Sequence, residues 1–248
     1  MRCASSGGAA VMPGYLTKQE QIVVEGVADV TIRSLLDRQQ YSDPLGEAER
    51  LGISTASWPH FGLLWPSGAW LAARLARRPV TAGERILELG CGLALASIVG
   101  HRRGADVTAS DLHPLAEGFL LENLRLNRLL PMKYRHGDWG SRSLVPWQGD
   151  DASVRIVAGH YDLIIGSDLL YERDADGALA AFIGIHAAPT AETWIIDPDR
   201  GNRPAFHRAM ATHGFDLCED RLARPAMPGL VAYKGRMLTY RRKAEAVA

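Results

Sequence analysis

Ile86-Leu87-Glu88-Leu89-Gly90-Cys91-Gly92 is a short apolar run that stops on two glycines, and a helix-compatible segment follows it to about His101. An apolar run of this length bounded by glycine reads as a buried strand feeding a tight turn. The same alternation continues downstream. Ala105 to Asp111 is a second strand candidate, and Pro114 to Asn127 places Leu115, Phe119, Leu120 and Leu124 on one helical side. Met132 to His136 is a third, weaker strand, and Tyr161-Asp162-Leu163-Ile164-Ile165 a strong fourth. Helical stretches from Asp174 to about His186 and from Arg203 to His213 flank a fifth strand, Thr193 to Ile196. Phe215 to Arg224 and Gly229 to Arg241 follow with no helix between them, as in an antiparallel pair. Strands alternating with helices predict an α/β architecture, a mostly parallel sheet covered on both faces. The stretch 141–158, with Gly149-Asp150-Asp151, reads as a surface insertion, and no internal repeat is visible.

Upstream, the pattern is different. Residues 1–16 are rich in Gly, Ser and Ala without periodicity, which predicts a disordered tail. Residues 17–60 read as an N-terminal extension. Within it, Ile22 and Val24, then Val30 and Ile32, alternate with polar neighbours on either side of Glu25-Gly26, the pattern of a short hairpin. Trp65-Pro66-Ser67-Gly68 then opens a helix running to Arg77, with Trp70, Leu71 and Leu75 on one face and Pro66 or Ser67 at its start.

Composition narrows the function classes. The chain has 248 residues, 47% hydrophobic and 23% charged, with 28 Lys+Arg against 28 Asp+Glu. Zero formal charge argues against a general nucleic-acid binder. No apolar run reaches the length of a membrane helix, and Met1 to Gly14 lacks the apolar core of a signal peptide. Cys3, Cys91 and Cys218 are too few and too scattered for a disulfide framework or a zinc site. A cytoplasmic protein with a single catalytic or binding domain over residues 61–248 is the expectation.

The glycine turn selects a ligand. A dinucleotide fingerprint requires a third glycine where this chain has Leu95, and Glu88 just before the turn would repel a pyrophosphate. A cofactor carrying an ammonium and a sulfonium but no phosphate would accept Glu88, and S-adenosylmethionine is one. Asp111 ends the second strand, where a carboxylate accepts both ribose hydroxyls. Asp138 ends the third and can take adenine amino hydrogens, with Trp139 beside it to cover the ring. Taken singly, each of these is also explained as a loop acid or a packing aromatic. Together they put acids at the ends of three successive strands.

At these residues the chain resembles the class I (seven-β-strand) S-adenosylmethionine-dependent methyltransferases, over roughly residues 61–215. The resemblance implies a Rossmann-like, doubly wound, seven-stranded sheet with an antiparallel C-terminal pair. Trp65-Pro66-Ser67-Gly68 is similar to the Trp-containing entry of the family-16 group, which holds many protein-lysine methyltransferases. Ser167-Asp168-Leu169-Leu170-Tyr171 matches that group's Asp-x-x-Tyr motif. Asp197-Pro198-Asp199-Arg200 is similar to an Asp-Pro-Gly-Arg seen in some members, including those resembling the electron-transfer-flavoprotein lysine methyltransferases, with Asp199 replacing the glycine.

The resemblance implies a cofactor set of Trp65, Glu88, Gly90, Cys91, Gly92, Asp111, Leu112, Asp138, Trp139 and Ser167, yielding S-adenosylhomocysteine as product. It implies Asp168 and Tyr171 as the catalytic pair. Methyl transfer from a sulfonium is an in-line displacement, so the protein mainly positions the nucleophile. Asp168 would attract and orient a lysine ammonium, and would act as a base only if burial raised its pKa. Tyr171 would aim its hydroxyl or ring face at the same nitrogen. No metal is expected, because the histidines lack ligand spacing. His207 and His213 read as solvated, as does the charged stretch Arg236 to Lys243. A protein substrate with a target lysine leads. A small amine or nitrogen-heterocycle acceptor and a non-catalytic cofactor-binding module remain as alternatives, with neither nucleic acid nor membrane as partner.

Overall fold

In the computed structural model, residues 14–140, 144, 155–171, 176–226 and 231–243 are described. The chain opens with a two-stranded antiparallel sheet, β1 (Thr17–Ile22) and β2 (Val30–Leu35). A short helix α1 (Glu47–Arg50) and a 3-10 turn at Trp58–Gly62 lead into α2 (Pro66–Arg77). Then follow β3 (Arg85–Leu89), α3 (Leu95–Arg102), β4 (Asp106–Asp111), α4 (Ala116–Leu126) and β5 (Lys133–His136). After these come β6 (Tyr161–Ser167), α5 (Ala178–His186), β7 (Ala187–Asp197), α6 (Arg203–Thr212), β8 (Phe215–Arg224) and β9 (Tyr233–Arg242).

The main sheet has seven strands in the order β5-β4-β3-β6-β7-β9-β8. The first five are parallel, and β9 runs antiparallel to both β7 and β8. Side chains alternate across it with the two-residue period of a strand. Ile86, Val107, Leu163 and Ile165 face the side covered by α2, α3, α4 and the N-terminal sheet. Leu87, Leu89, Ile164 and Ile195 face α5 and α6. Both faces are therefore covered, as the continuous apolar runs of β3 and β6 require. Sequence order moves outward from β3 to β5 and returns at β6. The β3–β6 boundary is thus the place where an open α/β sheet leaves a crevice beyond its strand ends.

Pro66 is the first residue of α2, where its missing N–H costs nothing. The outer edge of β2 is completed by α4 rather than by another strand. Thr31 N–H donates to Asn127 Oδ1 at 3.0 Å and Arg33 N–H to Asn123 Oδ1 at 2.7 Å, while Asn127 Nδ2 donates back to Thr31 O at 2.7 Å.

Several expectations shift. The tail was expected to run to residue 16, but Tyr15 lies 5.8 Å from Trp58 and 5.9 Å from Phe119, and Leu16 O accepts from Leu36 N–H. Residues 1–13 lie outside the described residues, as does most of the 141–158 stretch. The described end of that stretch is not surface: Val157 and Ala158 are buried and Ile156 bridges to His136. Helix α5 begins at Ala178 rather than Asp174, which lies outside the described residues. The fifth parallel strand has 11 residues, because Ala187 to Glu192 extend it despite Pro189. Arg236 to Lys243 is solvated only in part. Arg236 to Arg242 belong to β9, an interior strand, with Arg236 largely buried against Asp199 and Glu219. Arg241, paired to Glu192, and Lys243, just past the strand, have exposed side chains. His207 is half-buried, with Nδ1 2.5 Å from the Tyr240 hydroxyl. Among the described residues no helix is long and apolar enough to cross a membrane.

Candidate active site

Beyond the C-terminal ends of β3 to β7 lies a cavity of about 380 Å³. Eleven of the twelve residues expected at the site border it: Trp65, Gly90, Cys91, Gly92, Asp111, Leu112, Asp138, Trp139, Ser167, Asp168 and Tyr171. The twelfth, Glu88, lies behind the turn. It is 4% exposed, and its Oε2 accepts from the backbone N–H and the hydroxyl of Ser97 in the first turn of α3. An acid is favoured there because four N–H groups at a helix start lack intrahelical partners. Burial nevertheless raises its pKa to about 7, against the Ser97 hydrogen bonds. Its position supports the turn and is not one of contact with a ligand.

The turn itself is held from below. Gly90 and Gly92 have φ of +54° and +50°, and a Cβ on Gly92 would come within 2.7 Å of Phe61 O. The positive φ favours glycine at both positions, and the approach to Phe61 O demands it at Gly92. Cys91 N–H donates to Ser110 O at 2.9 Å, Gly92 N–H to Asp111 Oδ2 at 2.8 Å, and Ala94 N–H to Cys91 O at 2.6 Å. These amides are committed to protein acceptors, so they are not offered to a phosphate as a dinucleotide loop would offer them. Burial lifts the Cys91 thiol well above its usual range, with the Asp111 and Glu88 carboxylates adding to the effect, which leaves it an inert filler.

Asp111 is clamped by two backbone donors, His113 N–H on Oδ1 and Gly92 N–H on Oδ2, both at 2.8 Å. Burial raises its pKa and these bonds oppose the rise. Asp111 borders the cavity, and a carboxylate has about four acceptor sites, so it can accept further hydrogen bonds. Asp138 is exposed, with Oδ1 accepting from Gly140 N–H at 2.8 Å, and the Trp139 ring lies over Gly90. Against the glycine turn, Phe61 is stacked on His113 with ring centres 3.7 Å apart. Burial pulls the His113 pKa down to about 3, so it faces the cavity as a neutral ring.

The part of the cavity beyond β6 is built around Asp168. This residue has φ of +58°, a conformation L side chains rarely adopt and one that costs about 1–3 kcal/mol where it persists. Its Oδ1 receives Arg200 Nη2 at 3.0 Å. Its Oδ2 is buried with no hydrogen-bond partner; the Ser67 hydroxyl lies close by, engaged with the Tyr233 hydroxyl at 2.9 Å. Burial raises the Asp168 pKa, and Ser67 and Arg200 hold it back. Tyr171 stands at the rim, its ring 5.8 Å from His60 in an edge-on contact. His60 meets Trp65 in the same way at 5.6 Å. Trp65 Nε1 donates to His60 O at 2.9 Å, and Arg38 lies over the Trp65 ring.

His60, Phe61, His113 and Arg200 were not among the expected site residues. Arg200 stood inside the noted Asp197-Pro198-Asp199-Arg200 segment. Phe61 and His60 come from a stretch without periodicity and reach the cavity only through the 3-10 turn.

The donor set fits a ligand with a ribose, an adenine and positive charge. Acids stand at three strand ends, the turn amides are occupied, and the guanidinium on the wall is paired to Asp168. A family profile described as lysine methyltransferase matches residues 60–196, just over half of the chain. The electron transfer flavoprotein beta subunit lysine methyltransferase of Danio rerio is 38% identical over 122 residues, 48% of this chain and 42% of its own length. Its Xenopus laevis counterpart is 36% identical, over 43% and 50%. Protein N-lysine methyltransferase METTL21A of Danio rerio is 31% identical, over 53% and 54%. The chain spans about half the length of the curated relatives it matches. Among solved structures, the T. thermophilus 16S rRNA methyltransferase in complex with AdoMet and guanosine superposes with a TM-score of 0.57 at 15% identity, covering 96% of this chain and 53% of that one. Magnesium protoporphyrin IX methyltransferase from Synechocystis, with bound SAM, gives 0.50 at 18%, covering 71% and 76%. At these identities the likeness is one of fold.

Proposed function

Because the chain belongs to the lysine methyltransferase family, we propose that it transfers the methyl group of S-adenosylmethionine to the side-chain nitrogen of a lysine in a protein substrate. The observation that carries this reading is the placement of Asp168, its Oδ1 held by Arg200, on the border of one cavity with the glycine turn and Asp111. When bound, the cofactor supplies an electrophilic methyl on a sulfonium. Asp111 would accept the ribose hydroxyls, and Asp138 the adenine amino hydrogens. Leu112 and Trp139 would cover the adenine ring, while Gly90 to Gly92 let the chain approach closely. Ser167 and Trp65 would close the remaining sides. Asp168 would hold the acceptor nitrogen in line, with Tyr171, Trp65 and His60 forming the rim through which a long aliphatic side chain enters.

The start of the family match at residue 60 supports a boundary between an extension at 17–60 and a transferase domain at 61–248. The free thiols of Cys91 and Cys218 fit a reducing, cytoplasmic setting.

The test uses methyl-labelled S-adenosylmethionine, the purified protein and a lysate of cells lacking it. Label in the acid-precipitated pellet that resists nuclease and disappears with protease is the expected result. Label confined to the soluble fraction would replace the protein acceptor by a small amine, and absence of label with the cofactor still bound would leave a binding module.

A further inference from the structure

Asp168 is not a free carboxylate. Its Oδ1 is held by Arg200 at 3.0 Å, and both side chains border the cavity. Arg200 is fixed from behind, its backbone N–H donating to Asp197 Oδ2 at 2.8 Å, in a turn that passes through Asp199 at φ +66°. A guanidinium does not lose its proton in proteins, so this charge is permanent.

The pairing answers a difficulty in lysine methylation. A lysine ammonium has no lone pair and must shed a proton before it can attack. An isolated carboxylate within about 4–6 Å would favour the ammonium by about 1–3 pH units, opposite to what the reaction needs. A carboxylate whose charge is already balanced keeps its acceptor lone pairs but loses most of that field.

We propose that Arg200 is a positioning residue for the acceptor amine: by balancing Asp168 it lets the carboxylate orient the incoming nitrogen through a hydrogen bond without holding it as an ammonium. The proposal rests on the lysine-methylation reading above. The neighbouring groups do not upset this balance. Asp197, at the end of β7, is itself met by Arg203 at 3.4 Å. Tyr233 of β9 is pushed up to about 12 by burial and stays neutral. Ser67 of α2 contributes only a hydroxyl, and Tyr171 and His60 close the rim with their rings. Asp199 and Glu219 are taken up by Arg203 and Arg236. In the step itself the lysine ammonium gives its proton to water at the mouth. Its lone pair then forms the N–C bond as the C–S bond breaks, and the sulfonium becomes a thioether.

The experiment is single-turnover label transfer to the protein fraction of the same lysate. It runs from about pH 6 to about pH 10, below the free-lysine value of about 10.4, for wild type, Arg200→Gln, Arg200→Met and Arg200→Lys. Calorimetric binding of S-adenosylmethionine checks that each variant is folded. The midpoint of the rising limb should move up by about 1–3 pH units in Arg200→Gln and Arg200→Met. Their rates should approach wild type at the alkaline end, and Arg200→Lys should keep the wild-type midpoint. A loss by one constant factor at every pH, or a midpoint that stays or moves down, overturns the role while leaving lysine methylation intact. A wild-type protein that labels no protein at any pH overturns both.

Discussion

The two walls of the cavity solve one backbone problem in opposite ways. At the end of β3 the chain turns through positive φ on Gly90 and Gly92, residues without a Cβ, and then on Ala94, which has only a methyl group. At the ends of β6 and β7 it does so on Asp168 and Asp199, which carry full side chains. On the glycine wall a side chain would collide with Phe61 O, and what matters is closeness of the main chain. On the aspartate wall the side chains are the point: one borders the cavity and meets Arg200, and the other ties the following turn to Arg203 and Arg236. Positive φ is borne by a residue with a Cβ on both walls, by Ala94 behind the glycines and by the two aspartates opposite, and only on the second wall does the side chain carry a charge.

That contrast can be broken at four positions. Asp168→Gly relieves the strained φ and removes the carboxylate together. Transfer should fall about a hundredfold or more, while unfolding free energy stays level or rises by about 1 kcal/mol; activity assays beside urea titrations would read both, and retained turnover would end the acceptor role. Asp111→Ala should weaken S-adenosylmethionine binding about 10- to 100-fold by calorimetry, the worth of charge-assisted hydrogen bonds to two hydroxyls. Unchanged affinity would remove the ribose assignment. Gly92→Ala should cost about 1–3 kcal/mol in denaturant unfolding, and a cost near zero would mean the turn relaxes away from Phe61. Smallest of all, Asp199→Gly restores the glycine of the similar motif. It exchanges strain relief for partly exposed ion pairs, so stability should stay within about 1 kcal/mol and transfer should be unaltered; a large loss of transfer would tie Asp199 to the placement of Arg200.

Much of this was legible in the sequence, and for identifiable reasons. β3 and β6 are apolar runs followed by glycine or acid and β4 is a short strand closing on an acid, so Gly90 and Asp111 were placed by local pattern, while Asp168 was placed by its likeness to the Asp-x-x-Tyr motif. Glu88 was legible as an acid beside the turn but not in its direction. It points back to Ser97 because α3 starts directly behind the strand, a relation only the folded chain has. His60 and Phe61 carry no periodic signal, and they reach the cavity because Trp58 packs between Tyr15, Tyr41 and His113. The extra length of β7 was hidden by Pro189, which reads as a break in isolation. Arg200 was visible as a letter in a motif, while its partnership with Asp168 spans 32 residues and two strand ends.

Helix α4 does something for the N-terminal sheet that an isolated two-stranded ribbon cannot do for itself. By offering the amide heads of Asn123 and Asn127, one helical turn apart, it acts as a surrogate third strand along β2. The ribbon is thereby registered on the same helix whose Phe119 meets Phe61 at the cavity wall. A sheet margin that would otherwise invite pairing with another chain is sealed by two side chains. Truncating either asparagine would unfasten the margin, and the first symptom to look for would be self-association rather than lost chemistry.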